Sequence, residues 1–421
     1  MGINDKNIAS LTGAVYLLVR MSASYPELMD KEVFCMKRIL VILMINIFIV
    51  MVGVGLITPI LPELIIEFGA SGRAIGLLVA AYGITQFLLS PITGQLSDRY
   101  GRKVFIVVGV IIFAVAKFMF AIGDELWMLY TSRLLEGVAA ALIIPPMMAY
   151  VADITTTEER AKGNSLLAAA MSFGFVIGPG LGGLLAGYGT RVPLYTATGT
   201  AMIAVIFSIV YLPESLSKEQ MKAARATTHR RESIFKQYAR SLKSKYAMFF
   251  VIVLVMTFGL ANFESVLGLY VTNRFQFSPQ HISVLLTVGA VIGVGMQALV
   301  VAKMIKQFGE KRLIKGSLLF TSAAYILLLF AKDFWSIFLV TSLIFFATAM
   351  LRPALNTQLS KMAGNEQGYV AGMNNAYMSV GNILGPTLAG FLFDANMFAP
   401  FLTGCCILLI TFLITLKIKV K

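Results

Sequence analysis

The segment GQLSDRYGRK, residues Gly94–Lys103, places one acidic and three basic side chains between two long apolar runs. Its two glycines permit a tight turn, and its acid can pair with a base or cap the end of a helix. Its bases are of the type that concentrates on the cytoplasmic side of membrane proteins. The segment therefore predicts a charged cytoplasmic hairpin between two membrane spans, formed by Gly94, Asp98, Arg99, Gly101, Arg102 and Lys103.

The composition excludes a soluble globule. Of 421 residues, 58% are hydrophobic and 13% are charged, and the mean hydropathy is +0.81, whereas soluble domains carry about 25% charged residues. The basic residues behind the net charge of +14 lie between apolar runs. They therefore indicate membrane topology and not a nucleic-acid partner. The three cysteines, Cys35, Cys405 and Cys406, lack ligand spacing, which argues against a metal site or a disulfide framework.

Residues 1–35 read as an N-terminal extension. Their apolar run Leu11–Val19 is too short to span a bilayer, and no cleavage site of small residues follows a basic start. Met36, Lys37 and Arg38 then precede a long apolar run, as at the start of a bacterial membrane protein. We expect the extension to be disordered or not native.

Twelve apolar stretches of about 20 residues follow, each long enough to cross a membrane. They lie near 39–61, 73–96, 104–122, 127–149, 163–188, 192–212, 246–272, 280–301, 312–331, 334–355, 368–393 and 396–417. The loops on one predicted side carry most of the bases, and the opposite loops carry only Arg73, Arg191, Arg274 and Lys332. This asymmetry places both termini in the cytoplasm. The organisation is a six-helix bundle at 36–212, a cytoplasmic central loop at 213–245 and a second six-helix bundle at 246–421.

The two halves look like copies of each other. The same residue recurs 207 positions later at several places, namely Pro146 and Pro353, Glu159 and Glu366, Gly174 and Gly381, Gly178 and Gly385, Pro179 and Pro386, and Gly183 and Gly390. Parallel repeats of six helices are how many transporters form a binding site at the bilayer midplane. The predicted fold is therefore all-α, in two pseudo-symmetric bundles.

A second motif, GFVIGPGLGG at Gly174–Gly183, lies in the fifth predicted span. Its glycines recur every four residues on one helix face, which allows another helix to approach closely. Pro179 interrupts the backbone hydrogen bonding and permits a bend. Small-residue packing alone would also explain the motif, so its meaning depends on its combination with the charged hairpin.

The two motifs together resemble the major facilitator superfamily, a family of secondary transporters. The resemblance extends from Lys37 to Lys417 and includes GVGLITPILP, FGLANFES and AGNEQGYVAGMNNAYMSVGNILGP. It is strongest to drug:proton antiporters of the Gram-positive multidrug efflux type, such as NorA and Bmr. It implies the major facilitator fold and drug export in exchange for protons. It also implies a gating role for the hairpin residues and for Gly174, Gly178 and Pro179.

Charged side chains inside spans are costly in hydrocarbon, so each is a functional candidate. Glu264 has no basic residue within a helical turn, and burial without a partner penalises its charged form, which suits a proton-binding group. Arg133 and Glu136 are three residues apart and can pair; a static ion pair and a proton-coupling role remain equal alternatives. Lys117 is expected to extend from the outer end of its span to the membrane interface.

One position departs from the family pattern. Multidrug relatives commonly carry a second acid in the tenth span, where this chain has Ala349. Either Glu136 substitutes for that acid or the two-carboxylate proton mechanism does not apply. The change could also shift the substrates towards neutral or zwitterionic compounds.

Substrate contacts follow from the resemblance. Gln86, Phe175, Glu264 and Asn374 match cavity positions of the multidrug pumps. The 30 phenylalanines and 22 methionines could supply the adaptable apolar surface that diverse lipophilic compounds need. Asn46, Asn262 and Asn375 are further polar candidates, although amides within a membrane often only bridge helices.

An enzyme is not indicated, because both histidines fall in predicted loops and no catalytic constellation is present. The absence of a phosphate-binding loop motif argues against an ATP-driven pump. We therefore expect a monomeric, multi-pass transporter of the bacterial cytoplasmic membrane that confers antibiotic resistance. It would use the proton gradient and no cofactor, and its partners would be lipophilic or cationic small molecules, protons and membrane lipid. The alternative is a transporter of one metabolite or sugar, as exporter or importer, on the same fold.

Overall fold

The structure, a computed structural model, describes residues 31–156, 159–226 and 234–417. This part of the chain contains α-helices, turns and one short 3-10 helix. Twelve of its helices are long and apolar enough to cross a membrane, which confirms the predicted number. They are α1 Lys31–Gly55, α2 Gly72–Tyr100, α3 Arg102–Ile122, α4 Leu126–Ile154, α5 Arg160–Ala186, α6 Val192–Tyr211, α7 Ala247–Phe275, α8 Pro279–Leu299, α9 Glu310–Leu329, α10 Phe334–Ala363, α11 Gln367–Ala395 and α12 Ala399–Lys417.

The first predicted span ends earlier in the structure than its apolar run. The first span was expected to reach residue 61, but α1 ends at Gly55 and turns precede a short helix at Leu61–Glu67. Pro59 lies in those turns, where its missing N–H removes no helical hydrogen bond. The central segment 213–245 contains two short helices, Lys218–Ala226 and Ile234–Leu242. The extension proposed at 1–35 falls outside the described residues except for its last five.

The hairpin between α2 and α3 is as tight as its sequence predicts. Gly101 is the single residue between the two helices, and its φ of 103° lies in the region that favours glycine. Glu214, which follows α6, accepts hydrogen bonds from the backbone N–H groups of Arg102 at 2.8 Å and Lys103 at 3.1 Å. This carboxylate therefore caps the positive end of α3. Sequence reasoning did not identify Glu214.

The repeated glycines bring helices together in each bundle. A Cβ atom on Gly178 of α5 would lie 2.7 Å from the Cα of Gly55 in α1, so these backbones are in direct contact. The equivalent Gly385 of α11 lies against α7, where a Cβ would come within 2.7 Å of the Phe258 carbonyl oxygen. The interpretation of the glycine motif as a close-packing face is confirmed in both halves.

The two bundles, α1–α6 and α7–α12, touch at one end and separate towards the other. We call the first the closed end; it includes Gly72, Gly183 and Asp394. We call the other the open end; it includes Asp98 and Glu310. The burial of helix α8 decreases from the closed end towards the open end. Its buried residues all lie between 282 and 289. Its exposed large apolar residues are Val284, Val291, Val294 and Leu299, and three of these four lie beyond residue 289. A wedge-shaped space between the bundles therefore widens towards the open end.

Candidate functional site

The space between the bundles is the candidate site, and Glu264 of α7 faces it. Glu264 is half-buried, and Gly268, one turn later on the same helix face, lies against Pro62 of the other bundle. A Cβ on Gly268 would come within 2.6 Å of the Pro62 ring. In the described part of the chain no ion pair includes Glu264. The structure therefore agrees with the expectation of an acid without a basic partner.

The other predicted substrate contacts lie on three more helices. Gln86 of α2 is half-buried, Phe175 of α5 is 44% exposed and Asn374 of α11 is half-buried. The helices that carry them form the interface between the bundles, where α2 faces α11 and α5 faces α8. Within the described residues no hydrogen bond joins these side chains to one another, and their role in substrate binding stays a prediction.

The additional asparagines divide into separate roles. Asn46 is fully buried and accepts a hydrogen bond from Ser208 of α6 at 3.0 Å, so it bridges two helices of one bundle. Asn262 is fully buried next to the face that carries Glu264, and Asn375 is exposed. Asn46 thus bridges two helices through Oδ1, while its buried Nδ2 has no hydrogen-bond partner among the described residues.

Three charged side chains meet inside the first bundle, where α3 and α4 run antiparallel. The carboxylate of Glu136 lies 2.8 Å from Nη1 of Arg133 and 2.9 Å from Nζ of Lys117. Lys117 and Glu136 have no exposed surface. The predicted pairing of Arg133 with Glu136 is confirmed, whereas their role in proton coupling stays a prediction.

The expectation for Lys117 was wrong. Its side chain does not extend to the membrane interface, because the ammonium group pairs with Glu136 and lies 5.0 Å from the centre of the Phe113 ring. The position of Lys117 near the end of α3 permitted either outcome. Antiparallel packing placed a carboxylate within reach, and an ion pair compensates a buried charge better than an apolar surface does.

Substitutions at different members of this charge cluster should reduce the stability of the protein by different amounts. Glu136→Gln leaves two cations in the core without a counter-charge and should destabilise the protein by about 3–5 kcal/mol. Lys117→Met leaves the Arg133–Glu136 pair intact and should cost much less. Thermal unfolding in detergent would measure both variants. Equal losses of stability would contradict the assignment of Glu136 as the shared partner.

At the open end, the charged hairpin is tied to its own bundle. Arg102 pairs with Asp98, one turn earlier, and its Nε lies 3.1 Å from Oδ2 of Asp153 in α4. Its Nη1 also donates to Ser97 Oγ at 2.7 Å. The carbonyl oxygen of Arg99 accepts from Arg225 of the central segment at 2.9 Å. In this conformation the predicted gating residues hold α2, α3 and α4 together, and sequence reasoning missed Asp153.

At the closed end, Asp394 of α11 caps the beginning of α2 in the other bundle. Its Oδ1 accepts from the backbone N–H of Gly72 at 2.7 Å, and its Oδ2 lies 3.2 Å from the N–H of Arg73 and 3.0 Å from Arg73 Nε. A carboxylate at a helix N-terminus is favoured by the helix dipole and by the unpaired N–H groups. Asp394 therefore links the two bundles, although 322 residues separate it from Gly72.

A second link at the closed end uses the glycine motif. Ser283 of α8 donates a hydrogen bond to the Pro179 carbonyl oxygen at 2.7 Å, and Ser283 is 4% exposed. Gly183 provides the room for this contact, because a Cβ there would lie 2.1 Å from the Ser283 Cβ. The motif was expected to allow close approach and a bend; its contact with the second bundle was not predicted.

Three substitutions at the contact between Asp394 and α2 should weaken the closed end to different degrees. Asp394→Ala removes all three contacts and should raise the population of molecules separated at the closed end about tenfold or more, since hydrogen bonds to charged groups contribute roughly 1.5–3 kcal/mol. Asp394→Asn retains one acceptor and should have an intermediate effect. Arg73→Ala should have the smallest effect, because the Arg73 side chain is 59% exposed. Distances between spin labels on the two bundles would test this order, and a larger effect of Arg73→Ala would contradict it.

Comparison with known proteins agrees with this architecture. The profile of the Major Facilitator Superfamily matches residues 43–303 and 249–420. Multidrug resistance protein 2 of Bacillus subtilis (strain 168) is 42% identical over 394 residues, which cover 93% of this chain and 98% of that protein. The quinolone resistance protein NorA of Staphylococcus aureus (strain COL) is 36% identical over 373 residues, covering 88% and 92%. The resemblance to Gram-positive multidrug efflux proteins is thus confirmed.

Solved structures show the same fold at lower identity. A bacterial homologue of the human lysosomal transporter Spinster, in an inward-facing and occupied conformation, gives a TM-score of 0.75 at 14% identity and covers 90% of this chain and 95% of that one. The human organic anion transporter TETRAN gives a TM-score of 0.63 at 22% identity and covers 90% and 99%. From the paired bundles, the family profile and relatives matched along nearly their whole length, this multi-pass membrane protein belongs to the Major Facilitator Superfamily.

Proposed function

We propose that this protein exports lipophilic or cationic drugs across the bacterial cytoplasmic membrane in exchange for protons. The observation that carries the proposal is the wedge between the bundles, closed at one end by direct contacts, with the unpaired carboxylate of Glu264 facing it. The names of two relatives, a multidrug resistance protein and a quinolone resistance protein, support drugs as the substrates. The proton as coupling ion is inferred from the chemistry of Glu264.

The orientation follows from the distribution of bases. The open end carries Arg99, Arg102 and Lys103 on the first bundle and the basic helices of the central segment. The positive-inside rule assigns this end, and both termini, to the cytoplasm. The present conformation would then accept a substrate from the cytoplasm or the inner leaflet, while Asp394 and Ser283 seal the outer side.

Export would proceed by alternating access. A drug entering the wedge displaces the proton on Glu264, because a carboxylate that binds a cation cannot also hold a proton. The affinities for proton and drug are then reciprocally coupled. Release outwards requires the Asp394–Gly72 and Ser283–Pro179 contacts to break and the open end to close. The hairpin residues Gly94 to Arg102 would form part of that inner closure.

The proposal is tested by transport in everted membrane vesicles from cells that express the protein. Uptake of ethidium or norfloxacin should require a proton gradient and should stop when a protonophore is added. Depletion of ATP at a maintained gradient should have no effect. Transport in the opposite direction, or of neither compound, would instead support the narrow-substrate transporter on the same fold.

A further inference from the structure

A second unbalanced charge faces the space between the bundles, on the tenth span. Arg352 lies 18 residues after the start of α10 at Phe334 and 11 before its end at Ala363, close to the middle of the helix. Its side chain is exposed. An exposed guanidinium at this depth is very costly if it faces hydrocarbon. It therefore faces the water-accessible wedge.

Arg352 has no acidic partner among the described residues. No ion pair of the described residues includes it, and its recorded side-chain contact is the sulfur of Met378 in α11, at 3.9 Å from Nη2. One turn earlier on α10 the chain has Ala349, which faces α8. A Cβ added to Gly293 of α8 would lie 3.9 Å from the Cβ of Ala349. This neighbour is small and uncharged. No acid of the described residues therefore forms an ion pair with the positive charge at this level of the wedge.

Asn374 lies beside this charge. Its amide nitrogen is 3.7 Å from the same Met378 sulfur, and its buried Oδ1 has no hydrogen-bond partner in the described part of the chain. The two side chains thus meet around one methionine and offer N–H donors from neighbouring helices. A guanidinium with a nearby amide suits a carboxylate, which can accept two parallel hydrogen bonds.

Glu264 and Arg352 lie at different levels of the same space. Helices α7 and α11 pack in a fixed register, with Gly381 against Phe258 and Gly385 against Asn262. Glu264 is therefore level with residue 387, nine residues beyond Met378. At 1.5 Å per residue the two levels are roughly 13 Å apart along the helix axis. The side chains of Arg352 and Glu264 extend into this gap, so their charged groups are closer together than the two levels. The remaining distance matches the length of a small molecule with several rings.

We propose that Arg352 and Glu264 form the two ends of a site for zwitterionic compounds, with a carboxylate at Arg352 and an ammonium group at Glu264. This inference rests on the proposed drug export and specifies its substrate class. Arg352 is the specificity-determining residue. It attracts the anionic end of a zwitterion and repels a compound that carries only positive charge, since no acid on α10 offsets the guanidinium.

Binding to the purified protein tests the site without requiring transport. Three probes separate the contributions: norfloxacin, which carries a carboxylate and an amine; its methyl ester, which lacks the carboxylate; and ethidium, a permanent cation. The wild type should bind norfloxacin at least about tenfold more tightly than the ester, as expected for one good charged contact. Arg352→Gln should remove this difference and leave ethidium binding unchanged or stronger. Arg352→Lys should retain part of it.

Two further variants distinguish a local effect of Arg352 from misfolding of the protein. Ala349→Asp keeps Arg352 but supplies the missing counter-charge, so it should weaken norfloxacin and strengthen ethidium. Arg312→Gln removes an exposed base of α9 at the open end and should change none of the three affinities. Equal losses for all three probes in Arg352→Gln, or unchanged norfloxacin binding, would overturn the proposal. Failure of proton-driven export with this binding pattern intact would count against the proposed antiport alone.

Discussion

Replacing Glu264 by glutamine should reduce proton-coupled drug export to the level of vesicles without the protein. Glutamine has nearly the same size and can still form hydrogen bonds, but it neither binds a proton nor attracts a cation. Drug binding should weaken without being lost, because the wedge also offers apolar and aromatic surface. Proteoliposomes loaded with a pH-sensitive dye would report proton release on addition of substrate, and the variant should show none.

Two controls make this test specific. Glu264→Asp keeps the carboxylate on a shorter side chain and should retain partial coupling. Ser265→Ala changes the neighbouring residue, whose hydroxyl donates only to the Asn262 carbonyl oxygen of its own helix at 2.9 Å, and should transport normally. Coupled export that survives Glu264→Gln would move the proton site to Glu136, which the structure places inside the first bundle with Lys117 and Arg133.

Gly183→Ala should prevent the closed end from sealing. A methyl group at this position would lie 2.1 Å from the Ser283 Cβ and 3.0 Å from the Pro279 carbonyl oxygen, far inside normal contact distance. The clash falls between the bundles and not within one, so the protein should fold but favour separation at this end. A cysteine at Thr287, which faces Gly180 across the interface, should become reactive to a membrane-impermeant maleimide. We expect labelling at least about tenfold faster and little transport.

Compensation distinguishes this clash from general damage. Ser283→Gly removes the obstructing Cβ, so the double variant Gly183→Ala with Ser283→Gly should recover slow labelling and part of the transport. Gly199→Ala is the matched control, because a Cβ there would meet no atom within 4 Å. Failure of the double variant to recover while Gly199→Ala remains normal would show that Gly183 serves another purpose than contact with Ser283.

Much of the fold could be read from local patterns. Apolar stretches of about 20 residues gave the number of helices, since length and composition decide whether a helix can span hydrocarbon. The glycines at Gly174 and Gly178 predicted a close helix contact because spacing along a helix fixes which residues share a face. The helix ends were less accurate: the first span was placed beyond Gly55, where Pro59 and its neighbours form turns instead.

The site residues were predictable only as single candidates. The cost of charge in hydrocarbon singled out Glu264, Glu136 and Lys117 without giving their partners. Glu136 was paired correctly with Arg133, three residues away, whereas its contact with Lys117 crosses from α4 to α3. Arg352 was passed over, because its significance depends on the absence of an acid around it in space.

The resemblance of its motifs indicated the family, and the sequence by itself determined a membrane protein of twelve helices, its internal repeat and its charged hairpin. These properties follow from hydrophobicity, spacing and local turn geometry, which act within a few residues. Only the tertiary structure decided which end is closed, that Asp394 caps α2, and that Lys117 is buried beside Glu136. These contacts join residues that are far apart in the chain. Several charged residues could serve as the partner of each group by sequence alone, and the relative placement of the packed helices decides which of them comes within contact distance.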